Sequence, residues 1–168
     1  MAIGVAGLTS LTSNSSNQQP QQAKASPETV QEYQEILKND PNNLSALLPV
    51  YDHYLEIGQP AQALPLLERI VAQKPEDIEL LFNLADLYEL TGQNQKAETT
   101  YDTILSKRPQ EVTAMVKKGI LRGEEGDTQT AQSLFQQAEQ IAQTKEAKAK
   151  IKEIATQTLQ APSVPKTQ

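Results

Sequence analysis

Residues 78–111 read IELLFNLADLYELTGQNQKAETTYDTILSKRPQE, and this stretch decides the fold. It contains two groups of apolar or small residues whose spacing places each group on one face of an α-helix. Gly92 lies between the groups and allows a turn with a positive φ angle. Pro109 ends the second group because a proline ring cannot continue a helix. The two groups are Leu81, Leu84, Ala85 and Tyr88, then Ala97, Tyr101 and Ile104.

The same pattern occurs before and after this stretch in one register. Three kinds of marker residue recur every 34 residues: Pro41, Pro75 and Pro109; Gly58, Gly92 and Gly126; Ala63, Ala97 and Ala131. A helix pair that returns at a fixed interval predicts an elongated stack, in which each unit buries its apolar face against its neighbours.

This 34-residue pattern resembles the tetratricopeptide repeat (TPR) family, whose unit is a pair of antiparallel helices. The resemblance implies an all-α, right-handed TPR solenoid of three helix-turn-helix repeats: repeat one at 44–77, repeat two at 78–111 and repeat three at 112–145. An N-terminal half-repeat helix is expected at 27–40, where Tyr33 and Ile36 take second-helix positions. A C-terminal capping helix is expected at 146–159, with disordered tails at 1–26 and 160–168.

Three departures from the family pattern carry structural expectations. Pro49 and Pro65 fall inside the helices of repeat one, which predicts that these helices bend. Lys118 and Arg122 stand at usually apolar positions of repeat three, so we expect their stems to pack while their charged heads reach water. Gln143 replaces the terminal proline, so the second helix of repeat three is expected to run on.

Residues 1–11, MAIGVAGLTSL, are uncharged and fairly apolar. They are too few to span a bilayer, which takes about 20 apolar residues. Two interpretations stay open: a disordered apolar start, or the remnant of a membrane anchor or signal whose earlier part lies upstream. Because the chain has no cysteine, disulfide use cannot indicate the compartment. Cytoplasmic and membrane-associated locations therefore both remain.

Composition and charge exclude several classes of function. The net charge is −6, with −2 in residues 1–43, −6 in residues 44–145 and +2 in residues 146–168. Nucleic acid is a poor partner for such a chain, because binding it requires clustered Lys and Arg. The sequence contains no catalytic motif and no spacing typical of a metal or cofactor site. We therefore expect neither enzymatic activity nor a cofactor.

The resemblance also implies where a partner binds, because the first helix of each TPR lines a concave groove. The groove residues carried onto this chain are Leu48, Asp52, Leu55, Phe82, Asn83, Asp86, Glu89, Val116, Lys117 and Ile120. This set is apolar in the middle and acidic around it, which favours a protein or peptide partner with basic and apolar residues. The expected function is a non-catalytic adaptor or assembly factor. The alternative is a self-associating or membrane-tethered structural module, and the oligomeric state stays open.

Overall fold

The computed structural model describes residues 27–160, and every regular element within this range is an α-helix. The expectations for residues 1–26 and for the last eight residues lie outside the described part. None of the described helices is long and apolar enough to cross a membrane. The elements are α1 (Pro27–Asn39), α2 (Leu44–Glu56), α3 (Pro60–Gln73), α4 (Ile78–Leu90), α5 (Asn94–Lys107), α6 (Val112–Glu124), α7 (Thr128–Ile141) and α8 (Lys145–Gln160).

These helices form the predicted all-α stack. Helices α2 and α3, α4 and α5, and α6 and α7 pair as the first and second helices of repeats one, two and three. Helix α1 packs on α2, and α8 packs on both α6 and α7. The half-repeat helix and the capping helix therefore lie at opposite ends of the stack.

Short polar side chains start several of the helices by capping exposed backbone N–H groups. Asn43 accepts a hydrogen bond from the Ala46 amide at the start of α2, and Asp77 accepts from the Leu80 amide at 3.2 Å at the start of α4. Asp127 accepts from the Thr130 amide at 3.1 Å at the start of α7. Such caps satisfy N–H groups that lack partners within the helix, and so fix where each helix begins.

A glycine makes the turn inside each repeat, as the sequence predicts. Gly58, Gly92 and Gly126 have φ angles of 69°, 74° and 87°. In repeat two, the Gly92 amide donates to the Glu89 carbonyl at 2.9 Å and the Gln93 amide donates to the Tyr88 carbonyl at 2.7 Å. These bonds use carbonyl groups that the end of α4 leaves without helical partners.

The conformational requirement at this turn can be measured directly. A Cβ atom added at Gly92 meets nothing within 4 Å, so any penalty comes from backbone conformation alone. Gly92→Ala is expected to lower the free energy of unfolding by about 1–2 kcal/mol, the cost of a left-handed conformation for an L-residue. Urea titration measures this change. Gly92→Asn is the matched control and should cost less, because asparagine tolerates the conformation better.

Alanines let the two helices of each repeat approach closely. Ala63, Ala97 and Ala131 are all 0% exposed, and each begins a row of buried residues on its second helix. Around them the core forms two clusters. One joins α1 with repeats one and two and extends to Ala114 and Leu121 of α6, and the other joins the rest of repeat three with α8.

A charged layer crosses the junction between repeats two and three, and it corrects one expectation. The side chain of Lys118 is only 15% exposed and that of Glu98 is 13% exposed. Lys118 Nζ lies 3.6 Å from Glu98 Oε1 and 2.5 Å from Asp102 Oδ1, while Arg122 also contacts Glu98. The expectation that both charged heads reach water is therefore wrong for Lys118. Its head is satisfied by carboxylates of α5, since a buried charge needs a partner.

The end of repeat three corrects a second expectation. Helix α7 ends at Ile141, and Ala142 follows with an extended ψ of 129°. The Thr144 hydroxyl then accepts a hydrogen bond from the Ala147 amide at 3.1 Å and starts α8. The second helix of repeat three therefore does not continue beyond Ile141. Thr144, which caps the start of α8, separates the two helices in place of the proline found in the other repeats. In repeat one, α2 and α3 continue through Pro49 and Pro65, and the expected bend stays a prediction.

Candidate functional site

The expected groove residues lie on the first helices α2, α4 and α6, and most of them reach the surface. Leu48, Asp52, Leu55, Asn83 and Asp86 are exposed. Phe82, Glu89, Lys117 and Ile120 are half-buried. Val116 is the exception, because it is buried in the cluster formed by repeat three and α8. The structure places Val116 in the core and leaves the other nine for a possible contact surface.

Helix α2 carries the most accessible apolar surface of this set. Leu48, Asp52 and Leu55 follow one another at intervals of four and three residues, so they lie along one face of the helix. We call these three residues the repeat-one strip. Leu48 is 38% exposed and Leu55 is 40% exposed. Two leucines that remain in water, with a carboxylate between them, form a surface suited to a partner with both apolar and basic groups.

The electrostatics of the strip favour a cation. Burial raises the pKa of the Asp52 carboxyl above its ordinary value, and the neighbouring Glu56 carboxylate raises it further. A positively charged side chain placed beside Asp52 would favour the ionised form and oppose both effects. Binding of a cationic group and ionisation of Asp52 are therefore coupled, so affinity for such a group falls as the pH drops through the raised pKa.

Repeat two presents a different surface, because its carboxylates have partners within the protein. Lys117 Nζ of α6 lies 2.7 Å from Asp86 Oδ1 of α4, a pair that joins two adjacent first helices. The Tyr101 hydroxyl lies 3.1 Å from the same Asp86 oxygen and also contacts the Glu89 carboxylate. The acidic groups expected around the apolar middle are thus partly neutralised in repeat two, and Asp52 is a better site for a partner's basic group.

Tyr101 lies beneath this surface and contacts its carboxylates, which the sequence pattern did not predict. It comes from the second helix α5 and is 0% exposed, yet its hydroxyl reaches the carboxylates of α4. A tyrosine hydroxyl has a single hydrogen, so it donates to one of the two carboxylates at a time. Burial, followed by the Glu89 carboxylate, raises the pKa of Tyr101 far above its usual value. Its ring also packs near that of Phe82, with centroids 6.3 Å apart.

Repeat three offers less surface, since α8 covers part of α6. A Cβ atom added at Gly123 would lie 2.3 Å from Thr158 Cγ2, so the two helices touch where only glycine fits. Ile120 is half-buried beside the same cluster. The accessible surface of the groove residues is therefore concentrated on α2 and α4.

Comparisons with known proteins agree with this architecture. A sequence profile of the tetratricopeptide repeat matches residues 54–118. A search of curated proteins gave no match. Among solved structures, the crystal structure of MamA protein has 20% identity and a TM-score of 0.54, over 78% of this chain and 75% of its own.

Two further structures give the same result. MamA from Desulfovibrio magneticus RS-1, starting at its residue 41, has 25% identity and a TM-score of 0.55, over 68% of this chain and 64% of that one. The TPR domain of P58(IPK) has 16% identity and a TM-score of 0.56, over 68% of this chain and 32% of that one.

The paired helices and the glycine turns define an all-α solenoid built from helix-turn-helix repeats. The profile match at residues 54–118 and the structural neighbours support a tetratricopeptide repeat protein. Members of this family generally serve as non-catalytic interaction modules, so protein–protein interaction or a scaffold role is the kind of function that the fold indicates.

Proposed function

We propose that this protein is a non-catalytic adaptor or assembly factor that holds a partner peptide or helix along its first helices. The repeat-one strip carries the proposal, because it exposes two leucines on either side of a carboxylate whose pKa is raised. Leu90, the last residue of α4, is a further exposed apolar residue on a first helix, at 70% exposure. Exposed apolar groups grouped around a charge are typical of interaction surfaces.

The proposed partner has basic side chains next to apolar ones. Its apolar residues would cover Leu48 and Leu55, while a Lys or Arg would lie beside Asp52. The pair of Lys117 and Asp86 would bound the site in the middle of the stack, where the partner meets little net charge. This arrangement favours a short amphipathic segment over a uniformly basic one.

Selection of peptides from a random library against the wild-type protein tests the proposal. The selected peptides should contain Lys or Arg next to Leu, Ile or Phe. Leu48→Ala should speed dissociation of such a peptide about tenfold, or about 1.4 kcal/mol, because it removes an apolar anchor. Asp52→Asn should instead slow association and reduce its dependence on salt, because charges at the edge of an interface mainly affect the association rate constant.

Ile57→Ala is the matched control for this measurement. Ile57 is an aliphatic residue that is 48% exposed, but it lies in the turn after α2 and outside the groove residues. Its truncation should leave peptide binding unchanged. If the selected peptides bind Leu48→Ala and Asp52→Asn as tightly as the wild type, the partner does not use this surface. Surface plasmon resonance at two salt concentrations gives both rate constants.

A further inference from the structure

The two ends of the stack carry incomplete repeats of opposite kind. Helix α1 occupies second-helix positions, and no first helix precedes it within the described residues. Helix α8 packs on α6 and α7 where the first helix of a fourth repeat would lie, and no second helix follows it within the same range. Within the described residues, α1 is a second helix without its first helix, and α8 is a first helix without its second helix.

Helix α1 leaves exposed the side that would face a first helix. Ile36 is 42% exposed, whereas Ile70, Ile104 and Ala138 occupy the same repeat position and are at most 1% exposed. Tyr33 is half-buried, although the equivalent Tyr101 is fully buried. By contrast, Val30 on the other side of α1 is 3% exposed and belongs to the core of repeats one and two. The exposed side is therefore the one that a preceding helix would cover.

An open groove lies between α7 and α8 at the other end. Its volume is about 300 Å³. Its lining combines Phe135, Ile151, Ala155 and Leu159 with the polar residues Gln132, Gln136, Glu139, Lys152 and Thr156. In a complete repeat array, the second helix of the fourth repeat would pack against these two helices. The groove lies where such a helix would pack, and the half-buried Ala155 and Leu159 give it accessible apolar surface.

The charges of the two end helices are complementary. By sequence, residues 27–39 contain three acidic groups and one basic group, whereas residues 145–160 contain four basic groups and two acidic groups. Their net charges are −2 and +2. An α1 helix from a second copy would therefore be attracted to α8, while two copies of α8 would repel each other. Lys152 already pairs with Glu139 of α7 at 3.1 Å, so the attraction between unlike ends comes from the net charges of the two helices.

We infer that the protein associates with itself head to tail, with α1 of one copy seated in the groove between α7 and α8 of the next. The shared α8 and α1 complete one repeat between the copies, so the stack continues across the junction. Such a contact joins different surfaces of the two copies, and it gives a ring if it closes and a filament if it does not. Because one helix buries little area, the association is weak and depends on concentration. This self-association does not require a partner bound on the first-helix surface.

The inference is tested with two variants, each of which has one of the two contact surfaces disrupted by a charge; below they are called the blocked variants. Ile36→Glu places a charge on the contact side of α1, and Leu159→Glu places one in the groove beside α8. The average mass of the wild type, measured by sedimentation, should rise with concentration beyond that of a dimer. Each variant alone should stay monomeric, because every contact needs one intact end of each kind. An equimolar mixture should form dimers but no larger assemblies. The intact α1 of the Leu159→Glu protein can bind the intact groove of the Ile36→Glu protein, and no second contact can form.

The controls separate assembly from folding. Ile57→Glu changes an equally exposed isoleucine away from both ends and should assemble like the wild type. Glu32→Lys with Glu35→Lys reverses charge at exposed positions of α1 and should weaken assembly without altering helicity. The inference is overturned if the wild type stays monomeric at all concentrations, if either blocked variant still assembles, or if the mixture contains only monomers.

Discussion

Ala97→Glu is expected to abolish the cooperative unfolding transition of this protein. Ala97 is 0% exposed and lies where α5 approaches α4 within repeat two. The substitution adds four heavy side-chain atoms beyond Cβ and a charge to a site with no room and no partner. We expect a loss of at least about 3 kcal/mol, a large share of the stability of a domain of this size.

Circular dichroism during thermal unfolding measures this effect. The Ala97→Glu protein should lose helical signal and melt over a broad range, because repeat two connects its neighbours through nearest-neighbour contacts. Ala61→Glu is the matched control, since Ala61 is exposed in the first turn of α3. There the same chemical change should be neutral or slightly favourable, because a negative charge suits a helix N-terminus. A wild-type melt for Ala97→Glu would show that the repeat register is wrong.

Glu98→Ala is expected to destabilise the junction between repeats two and three by about 3 kcal/mol. Removing this carboxylate leaves the half-buried Arg122 and the largely buried Lys118 with fewer partners. Breaking a buried ion pair by deleting one member typically costs that much, because the remaining charge stays desolvated. The free energy of unfolding from urea titration measures the loss.

A triple substitution provides the matched comparison at the same junction. Glu98→Leu, Lys118→Leu and Arg122→Tyr introduce the residues that repeats one or two carry at the same positions, namely Leu64, Leu84 and Tyr88. Replacing a whole buried ionic group by apolar residues is often neutral or stabilising. The triple variant should therefore be at least as stable as the wild type. A loss below about 1 kcal/mol for Glu98→Ala would mean that water already screens these charges.

The sequence alone predicted features that depend on local periodicity. The positive φ angle of Gly92 and the burial of Leu84, Tyr88 and Ala97 all follow from positions within one 34-residue unit. Such features need only the spacing of residues along a helix and the conformational freedom of glycine. They are therefore visible without coordinates.

Features that join different units could not be predicted in this way. Glu98 looks like a surface residue of α5 until Lys118 and Arg122 of the next repeat are placed against it. Lys117 of repeat three likewise pairs with Asp86 of repeat two, and Tyr101 reaches the same carboxylate from the neighbouring helix of its own repeat. These contacts depend on the distance between helices, which the pattern of one unit does not specify. The partial neutralisation of the groove therefore appeared only in the structure.

Hydrogen exchange with and without a selected peptide tests the central claim most directly. Binding along the first helices should slow exchange of backbone amides in α2, with smaller changes in α4 and little change in α3 or α7. Asp52→Asn and Leu48→Ala should each reduce the slowing in α2, while Ile57→Ala should preserve it. Slower exchange confined to second helices or to α8, with α2 unchanged, would contradict the proposal that this protein binds its partner on the first-helix surface.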